Sequence, residues 1–348
     1  MNIRFFLKTI SFLLLLILTC CRSEVIETTT VPSMDNTELP ISKTTPPLIV
    51  SKEPVASPIP TSTLLSPWFD FSELNPGQHL LIRTEENGKP YLYAYSSSKA
   101  NIEKILLRDN YIFSASNDGS ELLVMNPDQE QYYYLKLSSK EWKELTIKGY
   151  CSQASWSADK RYIAVGCTLH DLGEIYILDI LHNSIILLTD CLDKQNVCFA
   201  PSWSTDGTWL AYYRSDARSG FDTVRGVYLF NTKCIDNGTN CMADQIGPIR
   251  SASNPTWTPD NNLVITNEDE SSFEFLEFRD GMFQITEKSA KFDALSLPFR
   301  ISSSPDGKYV AYTSLGSLEV FIYTRSTSQS EILLKHNHYT IGGWILIP

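Results

Sequence analysis

The chain repeats itself, and that constrains its fold more than anything else in it. The stretch SWSTDGTWLAYY, from Ser202, reads as a tight turn ahead of a half-buried strand. It recurs as SWSADKRYIAVG from Ser155, TWTPDNNLVITN from Thr256 and SSSPDGKYVAYT from Ser302. Weaker copies are ASNDGSELLVMN from Ala115 and LNPGQHLLIRTE from Leu74. The turn residues of the six copies are Gly77, Asp118, Asp159, Asp206, Asp260 and Asp306, spaced 41, 41, 47, 54 and 46 apart. A period in this range marks a repeat architecture.

Each repeat has room for about four short strands. In the fifth, 253–257 is a first strand, and Thr258-Pro259-Asp260-Asn261 is a turn of Pro/Asp type. Residues 263–267, 272–278 and 282–286 follow as alternating apolar runs, the last after Asp280-Gly281. The second, third and sixth copies follow the same plan, and no amphipathic helix stands out. Repeats of four antiparallel strands predict an all-β fold, a six-bladed β-propeller, because a lone four-stranded sheet exposes two apolar faces that a closed ring of sheets buries. Trp156, Trp203 and Trp257, each ending a first strand, are expected to pack between neighbouring blades. Residues 340–348 look like a further opening strand, with Trp344 lying 41 residues after Ser303. That strand either joins the first blade and locks the ring or begins an irregular seventh blade.

The sequences WSTDGTWLAYY, SPDGKYVAYTS and WTPDNNLVITN resemble the TolB-like propeller repeat, W-S-P-D-G followed by an apolar strand with an aromatic residue. The resemblance covers about residues 67–348. Two departures stand out: Gly77 replaces the Asp of the first copy, and the first two copies lack the Trp. The resemblance implies a fold more than a function, since that family includes periplasmic scaffolds, surface lipoproteins and regulatory domains of peptidases.

Residues 1–21 read as a leader. Arg4 and Lys8 form a positive start, and 10–18 is an apolar run too short to span a membrane comfortably. Leu18-Thr19-Cys20-Cys21 resembles a bacterial lipoprotein processing site, with Cys21 as the lipidated residue and Cys20 as the alternative. Cys20 then occupies a position where that site usually has Gly, Ala or Ser; the other readings are an ordinary secretory leader that happens to contain cysteines and an uncleaved anchor. Residues 22–66, rich in Thr, Pro and Ser, read as a disordered tether with too little apolar surface to offset ordering entropy. Every version sends the propeller across the membrane.

Formal charge is -11, and -13 once Arg4 and Lys8 leave with the leader, since no acid precedes Glu24. An acidic surface repels phosphate backbones, so nucleic acid is not an expected partner. Six cysteines remain in the repeats: Cys151, Cys167, Cys191, Cys198, Cys234 and Cys241. An even number in an exported chain predicts disulfides. A hairpin centred on Asp159 sets Trp156 opposite Tyr162 and Cys151 opposite Cys167, close enough to bridge. Cys191 with Cys198 and Cys234 with Cys241 each close a short loop. Without CxxC spacing or nearby His, they do not suggest zinc.

No nucleophile elbow, HExxH, phosphate-binding loop or EF-hand is present. No catalytic residue, metal or cofactor is therefore expected. His79 begins a strand, and His170, His182, His336 and His338 fall in loops. Two second-to-third-strand loops stand apart as candidate binding-rim loops: a long one carrying Arg214, Arg218 and Arg225, and an acidic one, Glu268-Asp269-Glu270. The expectation is an extracytoplasmic, lipid-anchored, monomeric propeller that binds a protein or an envelope polymer without catalysis. The alternatives are a propeller enzyme, such as a glycoside hydrolase or lyase with acids converging on its channel, and a purely structural module.

Overall fold

Alternating apolar residues and Asp/Gly turns produce 24 strands among the described residues. The structure, a computed structural model, describes residues 70–348 apart from 72–73, 127, 146, 148–149, 170–171, 192–195, 217–224, 239, 242–244, 250–251, 270, 290, 293–297, 315–318 and 336–337. The leader and tether with Cys20 and Cys21, and also His170, Arg218, Glu270 and His336, lie outside the described residues. No helix among those described is long and apolar enough to cross a membrane.

Blade 1 takes β1 (Gly77–Glu86), β2 (Lys89–Ser96) and β3 (Asn101–Leu106). Blade 2 is β4 (Ile112–Ala115), β5 (Glu121–Asn126), β6 (Gln131–Lys136) and β7 (Glu141–Leu145). Blade 3 is β8 (Tyr150–Trp156), β9 (Tyr162–Leu169), β10 (Leu172–Asp179) and β11 (Ser184–Leu187). Blade 4 is β12 (Asn196–Trp203), β13 (Trp209–Asp216), β14 (Gly226–Asn231) and β15 (Ile246–Ile249). Blade 5 is β16 (Ala252–Trp257), β17 (Leu263–Asn267), β18 (Ser272–Arg279) and β19 (Met282–Lys288). Blade 6 is β20 (Pro298–Ser303), β21 (Tyr309–Ser314), β22 (Val320–Thr324) and β23 (Gln329–Leu334). The last strand, β24 (Tyr339–Ile347), returns to blade 1, whose order is β24-β1-β2-β3. The six sheets each have four antiparallel strands, so 340–348 closes the ring and no seventh blade exists among the described residues.

The core shows why the sheets stand radially. Apolar side chains form six clusters, one at each junction between blades. Leu122 and Val124 of β5 pack with Leu81 and Ile345 of blade 1, while Leu123 and Met125, on the other face of the same strand, pack with Trp156 and Val165 of blade 3. The sixth cluster joins Ala311 and Val320 of blade 6 to Leu80, Ile82 and Trp344 of blade 1. A second strand buried on both faces loses the usual apolar/polar alternation, and every residue of β5 is buried. Trp156, Trp203, Trp257 and Trp344 all sit in these junctions. Trp257 Nε1 donates to the Ser202 carbonyl of the preceding blade at 3.0 Å, and Trp156 Nε1 to that of Ser114 at 3.2 Å.

The inner turns explain the repeated Ser-x-Asp. In blade 4, Ser204 Oγ donates to Asp206 Oδ1 at 2.7 Å and accepts the Trp209 N–H at 2.8 Å. Asp206 Oδ1 also accepts the Thr208 N–H at 2.9 Å. The same bonds form around Ser116, Ser157 and Ser304. Sequence reasoning credited the Asp and Gly but overlooked this buried hydroxyl. Gly77 differs because no turn forms there: the inner strand of blade 1 comes from the far end of the chain, and Gly77 pairs with Ile347.

All three predicted disulfides are present: Cys151–Cys167, Cys191–Cys198 and Cys234–Cys241. The first pair is opposite in register, as expected, although Trp156 faces Ile163 rather than Tyr162. The hairpin is offset by one residue at its turn, and a bulge between Cys151 and Gln153 restores the cysteine pairing. One short helix, α1 (Lys233–Asn237), was not expected. It is a single turn ended by left-handed Gly238 (φ 63°) and tied at Cys234 by its bridge to Cys241.

Candidate functional site

The six inner strands surround a central channel that holds a cavity of about 150 Å³. Serines dominate the lining, among them Ser114, Ser152, Ser202 and Ser302, with Asn254, Gln153, Pro201 and the edges of Trp203, Trp257 and Trp344. The described lining includes no carboxylate, His or Cys, and its one charged residue is Arg300.

Arg300 is placed by a distortion of β20. The inner strands of blades 1, 3, 4, 5 and 6 each carry a β-bulge against the second strand. A bulge bends its strand and re-aims a side chain. In blades 4, 5 and 6 the residue four before the turn Ser or Thr has a left-handed backbone: Ala200 (φ 53°), Asn254 (φ 48°) and Arg300 (φ 53°). From blade 6, Arg300 Nη1 reaches blade 3, directly opposite in the ring, and donates to the Ser152 carbonyl at 3.2 Å. Burial pulls its guanidinium below the usual range; Tyr150 opposes that effect, and the nearby Arg83 adds to it.

Arg83, on β1, lies toward the same mouth. Its guanidinium donates to the Asn110 side chain, and Nη2 is 3.6 Å from Glu85 Oε2. Its Nε is buried with no partner among the described residues. Asn110 Nδ2 in turn donates to Asp128 Oδ2 at 2.9 Å, so the wall of this mouth is a polar network.

The second-to-third-strand loops open at this end of the ring, opposite the Ser-x-Asp turns. There Arg225 of blade 4 forms an ion pair with Glu268 of blade 5, and Asp269 is exposed beside it. Arg214 does not belong to this rim. It lies within β13, is only 7% exposed, and stands over the Tyr228 ring at 5.5 Å. Arg214, Ser215 and Asp216 pair with Cys198, Val197 and Asn196 of β12, which carries β13 further toward the loop than the sequence suggested. Arg300, the channel's cation, was missed; aligning the repeats on the turn Ser would have shown Arg where the two preceding copies have Ala200 and Asn254.

No group of three or more His, Cys, Asp or Glu among the described residues could hold a metal ion.

No protein-family model matches the chain. No curated protein matches it either. Solved structures do resemble it. TolB from Acinetobacter baumannii superimposes with a TM-score of 0.53 at 16% identity, over 79% of this chain and 68% of that one. A putative TolB from Agrobacterium tumefaciens gives 0.53 at 16% identity, over 78% and 94%. A chain of the nidogen/laminin complex gives 0.54 at 14% identity, over 78% and 99%. At such identities the likeness is one of architecture, and the architecture of this chain is a TolB-like six-bladed β-propeller.

Proposed function

We propose that the protein is an extracytoplasmic, non-catalytic binding propeller that engages a protein or envelope polymer at the mouth rimmed by Arg225, Glu268 and Asp269. The observation that carries this reading is the lining of the channel. Glycoside hydrolysis calls on a pair of carboxylates several ångströms apart, whereas the described lining offers serines, an Asn and a lone Arg. A rigid ring bearing charged loops at one mouth suits recognition. The nidogen/laminin likeness, a propeller in a protein complex, favours a protein partner. Three disulfides favour an oxidising compartment. Cys21, or Cys20, is the proposed lipid anchor, residues 22–66 the tether that lifts the ring from the membrane, and the monomer the working unit.

Photo-crosslinking in cells tests the binding face. A crosslinker replacing Asp269 is expected to capture a discrete partner, and one replacing Asp206, on the opposite face, is not. Equal capture from both positions, or none from Asp269, removes the proposal. Mass spectrometry of the mature N-terminus tests the anchor: a diacylglyceryl mass on Cys21 is expected, and an unmodified terminus excludes it.

A further inference from the structure

Arg300 has more hydrogen-bonding capacity than the protein uses. A guanidinium has five N–H donors. Among the described residues one bond is made, to the Ser152 carbonyl. The Phe299 ring stands 5.9 Å away. Among the described residues, the charged and titratable groups it senses are Tyr150 and Arg83, with no carboxylate among them. The hydroxyls of Ser152, Ser202 and Ser302 line the same cavity and make no hydrogen bond to any described residue. Among the described residues the channel therefore combines one cation without a counter-ion, neutral donors and open space.

A cation partly withdrawn from water, with no counter-ion among the described residues, is costly. Water satisfies its donors but does not neutralise it. An anion does both, and a planar carboxylate matches the guanidinium fork with two parallel bonds. Size and charge narrow the choice. A cavity of about 150 Å³ is one that admits a molecule of benzene's bulk. One free guanidinium balances one negative charge; Arg83 is already engaged by Asn110 and Glu85. A dianion would face the field of a chain whose net charge is -11. The other bulges bring Ser152, Ala200, Asn254 and Gly342 to the axis, all uncharged, so the cation is a feature of one blade and not of the repeat.

We propose that the central channel is a monocarboxylate receptor, with the Arg300 guanidinium as its anchor and the serine hydroxyls completing the site. The carboxylate belongs either to a free small organic acid or to the tip of a peptide entering from the Arg225–Glu268 mouth. This site does not depend on the identity of any partner at the rim.

Calorimetric titration of the full-length protein tests it, with lactate and lactamide as one pair of probes. A short peptide with a free C-terminus and the same peptide amidated form the second pair. At least one carboxylate is expected to bind while its amide does not; lactate alone identifies a free acid, the peptide alone a chain terminus. Arg300→Gln is expected to weaken that binding at least tenfold. Arg300→Lys, which keeps the charge and loses the fork, should weaken it several-fold and serves if the Gln variant does not fold. Failure of both carboxylates, undiminished binding by the Arg300 variants, or tighter Arg300-dependent binding of sulfate or phosphate would overturn the proposal.

Discussion

Single residues in the inner turns do two jobs. Ser204 Oγ is fully buried, gives its proton to Asp206, and accepts the Trp209 N–H. Ser204→Ala leaves that N–H without its side-chain partner, so the expected cost is about 1–3 kcal/mol. Urea denaturation measures it; a loss below about 0.5 kcal/mol would mean that water replaces the hydroxyl. The turn carboxylates add an acid dependence. Burial pushes the Asp118 carboxyl up, but Lys160, Ser116 and Ser120 outweigh it and bring it down to about 2. Asp206, Asp260 and Asp306 are lowered in the same sense, by their hydroxyl and backbone donors and neighbouring cations, against burial. A depressed carboxyl stabilises the fold above its unfolded value, near ~4, and that stability is lost as pH falls through the folded value. Stability should therefore fall between about pH 4 and pH 2, and Asp118→Asn should flatten part of the fall in denaturation series across that window.

At the scale of the element, the closing strand fits too closely to tolerate a methyl group. Gly119 has φ +72°, and a Cβ there would lie 2.7 Å from Leu346 N and 2.9 Å from the Ile345 carbonyl carbon, both in β24. Gly88 has the same φ with nothing within 4 Å. Gly88→Ala is expected to cost only the left-handed conformation, about 1–2 kcal/mol. Gly119→Ala should cost roughly 1–3 kcal/mol more and should speed hydrogen exchange in 339–347 above all. Equal costs would show that the contact relaxes freely. The strands, their turns and the closing segment were legible in the sequence because period-2 alternation and Asp/Gly turns are local signals. The bulges were not. An extra residue in β8 leaves the apolar pattern intact while shifting the register between the Trp156–Ile163 and Cys151–Cys167 pairs, and the same kind of insertion carries Arg300 to the axis. Nor was α1 legible, since a single turn held by a cysteine bridge has no helical period to read.

For the whole molecule, stability is shared between blade junctions and covalent ties. Cys151–Cys167 spans 16 residues, while each of the other bridges spans 7. In the chain-entropy account each contributes about 2–3 kcal/mol. Replacing both Cys151 and Cys167 by Ala should lower the urea midpoint accordingly, with the transition still cooperative; an unchanged midpoint would mean that strand pairing alone fixes that hairpin. The architecture could be read from the repeats because a ring of sheets is the one place where each finds cover on both faces. The channel's chemistry could not, because it depends on which side chains six separated strands turn toward a common axis.

The pairing of β1 with β24 also imposes an order in time. A growing polypeptide emerges from the ribosome with β1 early, and His79 waits for Ile345 until nearly everything between them has been translated. Blades 2 to 6 are continuous in sequence and complete as their own hairpins appear. A message truncated before residue 339 yields an arc with a gap in its first sheet, the inner edge of β1 bare and the Trp344 position empty. Exposed strand edges invite misassembly, so the last strand to be made is the one that hides the edge of the first.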